Sequence, residues 1–474
     1  MTRFAGRTCA GLFLASALHG CATTERPARG GGETLVWRFL DPALACDEGG
    51  NVYVSGAEQF GSHTQIFLAS SNRYGSTWKP RFHYLNHSRD GDRGRPQLST
   101  GATGEVYVLW EDTRDGPVHL YFNRSLDGGA TWLPADLRIN TGTGSPSRVS
   151  VPALASDRQA NVHVVWRDER EGFEAFYANR SRDRGKHWLR SDVRITSVGL
   201  GRKSAPRVVC DQQAGLYVAW VEQQAGDLAV LFNASNNHGE SWMIQDHRLS
   251  ARGVARLQLP SLCALESGIV LVSWMELRNG RAEIMLARST DRGRSWESPS
   301  RPLRAHGGGL FNPSGPQILC DRFEHVYVAW QALTADRGTV IILKSSVDGG
   351  RSFSETRFSR TDAAGIIGVP RLEDPGVEPF RMYADDAGNV YFAWIEEVAG
   401  TARIGFDRVS NHGTTWLGLA HAVDLSGHPP LTIEPPLLCA DDFGHVYMLW
   451  NEGRMLTAAA SPFYGDSGWR YEHF

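Results

Sequence analysis
Carboxylates and guanidiniums recur along this chain at fixed spacing. Glu58, Asp112, Asp168, Glu222, Glu276, Glu396 and Glu452 each stand two residues after a repeated mark, and Ala332 fills the remaining equivalent place. Arg114, Arg170, Arg278 and Arg454 follow two residues later, while Arg38, Arg148, Arg202 and Arg256 each precede the next segment of the repeat. Two kinds of chemistry follow from such a set. Arginine grips carboxylates in planar, two-pronged pairs, so these groups can form a ring of internal ion pairs. Turned outward, they would recognise an anionic or polyol ligand. Recurrence in nearly every unit favours the internal pairs.

The elements that position these groups are written in three marks. The first is a Ser-x-Asp-x-Gly-x-x-Trp phrase, as in "RSLDGGATW" and "RSTDRGRSW", ending at Trp78, Trp132, Trp188, Trp242, Trp296, Phe353 and Trp416. The second, of the type Gly-x-Val-Tyr-Val-x-Trp, ends at Trp110, Trp166, Trp220, Trp274, Trp330, Trp394 and Trp450, with "GNVYVSG" placing Gly56 where the ring is due. The third lies fourteen residues before the second: Pro42, Pro96, Pro152, Pro206, Pro260, Pro316 and Pro436, with Phe380 in the seventh unit. Short Val/Tyr/Trp-rich runs between Gly/Asp/Asn clusters read as strands. Each unit of about 55 residues is four strands: A starting at the Pro, B ending at the second mark, then C, then D after the first phrase. Such units bury their faces only by stacking radially, which predicts an all-β β-propeller of four-stranded antiparallel blades. Eight A–B pairs predict eight blades, with seven as the alternative, and Trp37 is expected to extend strand A. The Asp/Gly/Trp phrase is then the C–D hairpin turn: Asp127, Asp183, Asp291 and Asp348 accept backbone amides, and the glycines supply positive φ.

These repeats resemble the Asp-box, or bacterial neuraminidase repeat, propellers, whose best-known enzymes are sialidases. The resemblance covers about 34–474 and implies ligand binding on the face made by the D–A and B–C loops. It also implies a sialidase site: three arginines on the sugar carboxylate, an Asp acid/base and a Tyr nucleophile activated by Glu. The first of those arginines belongs two residues before the strand-A Pro, and the eight residues there (Leu40, Gly94, Ser150, Ser204, Gln258, Ser314, Glu378, Glu434) include no Arg. Arg95 adjoins Pro96 one place out of register, and "WEDTRDG" makes Asp115 the carried-over acid; no Tyr is assignable. Three readings result. The first is a glycan- or protein-binding sialidase-like propeller, the second an exo-acting glycoside hydrolase of the sialidase type, and the third a scaffold in a cell-envelope assembly.

The symmetry breaks around unit six. Its rim carboxylate is Ala332, the loop before it is the Gly-rich "RAHGGGLFNPSG", and the loop after it, "SRTDAAGIIGVPRLEDPGVEPF", is the longest of its kind. Long loops on a rigid scaffold collect binding residues. This predicts a ligand site at His306, Phe311, Asn312, Arg371, Glu373, Asp374, Arg381 and Tyr383.

The first residues are of another kind. Arg3 and Arg7 precede an apolar run and then "LHGC", the layout of an export signal over 1–20 with a lipobox-like end. Cys21 is the expected lipidation site, and 21–33 a flexible tether to a single domain over 34–474. The expected location is the bacterial cell envelope, anchored at the outer membrane through that lipid alone. A net charge of −3 argues against a nucleic-acid partner. No spacing suggests a metal site or a cofactor. Cys46, Cys210, Cys263, Cys320 and Cys439 fall at nearly the same place in different units, and this odd set is expected to be small packed thiols, not a disulfide framework.

Overall fold
Eight runs of the chain each fold into a four-stranded antiparallel blade with strands in the order A-B-C-D, in a computed structural model. The described residues are 37–473 apart from 61–62, 73, 80–81, 89, 143–147, 198, 307–308, 336–337, 360–365, 368–377, 399–400, 419–420, 425–434, 442, 452–455, 462–463 and 466–468. The expected signal, Cys21 and the tether lie outside them, as do Arg371, Glu373, Asp374, Glu452 and Arg454. Blade 1 comprises Trp37–Cys46, Val52–Phe60, His63–Asn72 and a D strand in two pieces, Thr77–Trp78 and His83–Tyr84. Blade 8 comprises Leu437–Ala440, Val446–Asn451, Leu456–Ser461 and Arg470–His473. Trp37 pairs with Phe60 and so extends strand A, while the last blade supplies its own fourth strand. The ring is an eight-bladed β-propeller in which, among the described residues, no strand is exchanged between the first blade and the last.

Successive A strands lie side by side around the ring, including blade 8 against blade 1. The core is accordingly distributed: each junction between neighbouring blades holds its own apolar cluster. Trp110, Trp166, Trp220 and Trp274 are fully buried in these junctions. Roughly 200 Å² of ring at about 25 cal/mol/Å² makes each worth about 5 kcal/mol of burial. Blade 1 shows why Gly56 replaces the ring. A Cβ there would stand 2.6 Å from Phe67, whose ring occupies that space, stacked 4.5 Å from Phe82.

One face of the ring carries the fastenings. In the C–D turn of blade 2, Asp127 accepts from the amides of Ala130 and Thr131 and the hydroxyls of Ser125 and Thr131, while Gly129 turns the chain at φ +76°. Asp183, Asp291, Asp348 and Asn237 repeat this cradle. The residue after each Asp or its replacement donates its amide to the A–B turn of the same blade, from Tyr74 to Gly50 round to Tyr464 to Gly444. The Asp/Gly/Trp phrase is a structural clasp.

Two expectations need correcting. Strand A does not start at the Pro: in blades 1, 2 and 3 it begins earlier, and the Pro sits in a register shift within the strand. Proline has no N–H for the ladder, so pairing skips it and a bulge forms. The cysteines are not all thiols, because Cys263 and Cys320 form a disulfide with Cα atoms 5.8 Å apart. Equivalent positions in different units look remote along the chain, yet adjacent A strands bring them together around the channel.

Candidate functional site
The rim carboxylates are built inward. Trp110 donates its indole N–H to Asp112 at 3.1 Å, Trp220 to Glu222 at 3.3 Å, Trp274 to Glu276 at 3.0 Å and Trp394 to Glu396 at 3.1 Å. Blade 1, lacking the Trp, substitutes the Tyr84 hydroxyl on Glu58 at 2.5 Å. Cations complete the sites: Arg93 and Arg114 on Asp112, Arg170 on Asp168, Lys203 on Glu222. Asp112 and Asp168 are fully buried. In blades 2, 3 and 4 the rim is therefore a set of internal ion pairs, and those of Asp112 and Asp168 also hold the amides of the B–C turns.

The mouth of the channel on the D–A/B–C side is different. The bulges put non-glycine residues at positive φ directly before proline: Asp41 (+48°), Arg95 (+50°) and Val151 (+48°). A pre-proline residue strongly disfavours this, and a β-branched one more so. The amides of Arg95 and Val151 are held from the preceding blade. Asp41 accepts from Arg95 N at 3.1 Å, and Glu111 accepts from Val151 N at 3.0 Å and from the Arg95 guanidinium at 3.3 Å. Burial pushes the Glu111 carboxyl up, with Arg95 opposing the shift and Asp41 adding to it. Arg95, a sequence candidate, thus meets a carboxyl that the sequence reading did not single out. Its one signal was position, since it lies between the strand-B Trp and the rim Asp. Asp115, the other candidate, sits further out, accepting from the Tyr121 hydroxyl at 2.5 Å, with Arg114 stacked 4.0 Å over that ring. Glu171, Tyr177 and Arg170 repeat the motif in blade 3.

At the axis, Arg207 of blade 4 reaches Glu378 of blade 7 at 2.7 Å. Blades three apart in a ring of eight are not neighbours, so this pair spans the channel. Arg381 of blade 7 pairs with the same carboxylate. Arg207 is buried, and its Nε and Nη1 have no hydrogen-bond partner among the described residues. Burial lowers its pKa to about 10, which leaves it charged at neutral pH. Two guanidiniums share one carboxylate here.

The other described candidates lie apart from one another, and Arg371, Glu373 and Asp374 lie outside the described residues. His306 is held by Glu355 of blade 6, with Nδ1 at 3.0 Å from the carboxylate. Phe311 is about half exposed on strand A of blade 6, and Asn312 beside it has φ +48°. Tyr383 packs among apolar residues at the junction of blades 7 and 8. Among the described candidates, only Arg381 joins the axial group.

Two triads, Asp157/His163/His238 and Asp321/His325/His412, bring ligand-type atoms within 4.8 Å of one another on the turn face. Their aspartates already serve as A–B turn staples. Asp157 accepts from the Gln159 and Asn161 amides, and Asp321 from the Phe323 and His325 amides and the Tyr327 hydroxyl. The positive charge of Arg180 beside His163 and His238 opposes a cation in the first triad. A groove of about 330 Å³ also opens on this face between blades 2 and 3, lined by Thr103, Glu105, Arg158, Arg182, Asp183 and Arg184. Its arginines are engaged in part, Arg184 with Glu105 and Arg158 with Glu48.

No family model matches the chain, and no curated protein does. Among solved structures, an ulvan lyase described as a new family of polysaccharide lyase matches at 12% identity and a TM-score of 0.45, over 82% of this chain and 97% of its own. A protein of unknown function from Dyadobacter fermentans matches at 14% and 0.40, over 65% and 94%. An α-L-arabinofuranosidase of Fusarium graminearum in complex with arabinobiose matches at 13% and 0.37, over 68% and 93%. The glycans named belong to those proteins, and similarity of this order transfers none of them.

Proposed function
We propose that the protein is an exported, lipid-anchored propeller of the Asp-box type that binds an acidic glycan at the channel mouth on its D–A/B–C face. The observation that carries this reading is Arg207, a buried cation with two N–H-bearing nitrogens that make no bond among the described residues. Buried donors ordinarily find acceptors, and a carboxylate or sulfate matches the guanidinium fork. Arg381 beside it adds a second positive charge against the one carboxylate of Glu378. The mature protein on a glycan array should retain uronate-, sialate- or sulfate-bearing glycans and ignore neutral ones. Arg207→Met should weaken that retention more than tenfold while the melting curve stays cooperative. Retention of no glycan, or retention indifferent to Arg207→Met, would refute the reading.

A second reading, an exo-acting glycoside hydrolase, draws on Glu111. A carboxyl with its pKa raised by burial beside an arginine has the character of a general acid. It requires turnover of fluorogenic glycosides, sialosides first, that Glu111→Gln abolishes with binding intact. Arg95→Ala and Asp115→Ala should also lower that turnover.

A further inference from the structure
We propose that Cys439 and Cys46 are joined in the mature protein by a disulfide that closes the ring covalently between its last blade and its first.

The argument begins with register. Cys263 is the third residue after its strand-A proline, Pro260, and Cys320 is the fourth after Pro316 in the next blade. Those two positions meet, and the disulfide forms there. Cys439 is likewise the third after Pro436, and Cys46 the fourth after Pro42 in the blade that follows around the ring. The same two positions meet elsewhere too. Ser99, third after Pro96, lies 2.6 Å from Ser156, fourth after Pro152, oxygen to oxygen. Blade-to-blade geometry therefore repeats at this point, and the last-to-first junction carries the sulfur pair.

Contacts agree with register. Cys46 and Cys439 are both thiols in the structure, and the Cys46 thiol donates toward the carbonyl of Ala440, the residue next to Cys439, at 3.5 Å. Both cysteines are buried in the small cluster with Val52, Tyr447 and Ala460 that seals this junction. The junction needs such a bond more than any other. Every other pair of neighbouring blades is joined by the chain itself, whereas here there is neither a continuous backbone nor an exchanged strand.

Formation is a two-electron oxidation. Two thiols lose two protons and two electrons as the S–S bond forms, and a disulfide-bearing oxidant accepts them through a mixed disulfide, becoming a dithiol. Burial of both sulfurs places the reaction before blades 1 and 8 close fully.

The test uses the full-length chain, signal included, exported by a bacterial host into an oxidising compartment. The mature protein is alkylated under denaturing, non-reducing conditions, digested and mapped by mass spectrometry. The expected result is a linked peptide pair containing Cys46 and Cys439, with Cys210 alkylated. Non-reduced wild type should also migrate ahead of Cys439→Ser on a denaturing gel, because a closed loop spanning nearly the whole domain is more compact. Alkylated Cys46 and Cys439 in a sample where Cys263–Cys320 is linked would overturn the proposal, as would identical migration of the two proteins.

Discussion

At the scale of single residues, His163 stands where five other blades place a tyrosine that bonds the A–B turn aspartate: Tyr53, Tyr217, Tyr327, Tyr391 and Tyr447. Its Nδ1 is buried without a hydrogen-bond partner among the described residues. Burial, with His238 and Arg180 adding to it, pushes its pKa down to about 3. The imidazole is neutral when folded and takes up a proton near pH 6.5 when unfolded. Its contribution to stability is therefore complete above about pH 6.5 and is lost progressively as pH falls toward 3. His163→Tyr should restore the bond to Asp157 and flatten this slope, so that melting temperatures at pH 7 and pH 4.5 differ less than in wild type. An equal or larger difference would show that other groups set the acid limb. Sequence alone marked position 163 as a strand residue inside a repeat, but not as a departure that leaves a nitrogen without a partner. That required seeing the phenols bonded in the other blades.

At the scale of the element, a blade tolerates exchange of parts provided volume and donors are conserved. Blade 1 replaces one Trp with Phe67 and Phe82 for bulk and with Tyr84 for the donor to Glu58. Blade 7 shows the converse, for a Cβ at Gly405 would lie 2.2 Å from the Trp394 ring. Gly405→Ala should therefore destabilise by about 1–3 kcal/mol through overpacking, visible as a lower denaturation midpoint. Tyr84→Phe should cost about 1–3 kcal/mol by leaving the Glu58 carboxylate short of its donor. The strands, the blade number and the role of the Asp/Gly/Trp turn were legible because each is written several times over at fixed spacing. The channel mouth was not. Glu111, Arg207 and Glu378 come from different blades, and nothing along the chain says that blade 4 reaches blade 7. The long loops singled out by sequence lie partly outside the described residues, and of their described candidates only Arg381 arrives at the axis.

At the scale of the whole molecule, eight separate junctions replace one continuous core, so stability is set by the weakest junction. The last-to-first junction, divided between two small clusters, is the candidate. Under reducing conditions hydrogen exchange should rise first in Val52–Phe60 and Val446–Asn451, ahead of Val270–Arg278 and Val326–Thr334. Uniform exchange around the ring would instead indicate a single cooperative unit. The turn cradles and the turn-to-turn amides all sit at one end of the wedges. A lineage, or an engineer, can therefore rewrite the exposed loops at the opposite end as long as the buried rim pairs beneath them, Arg114 with Asp112 and Arg170 with Asp168 among them, are kept. Loop sequences grafted beyond those pairs would inherit a frame already fastened without them, and new specificities can arise without renegotiating the scaffold.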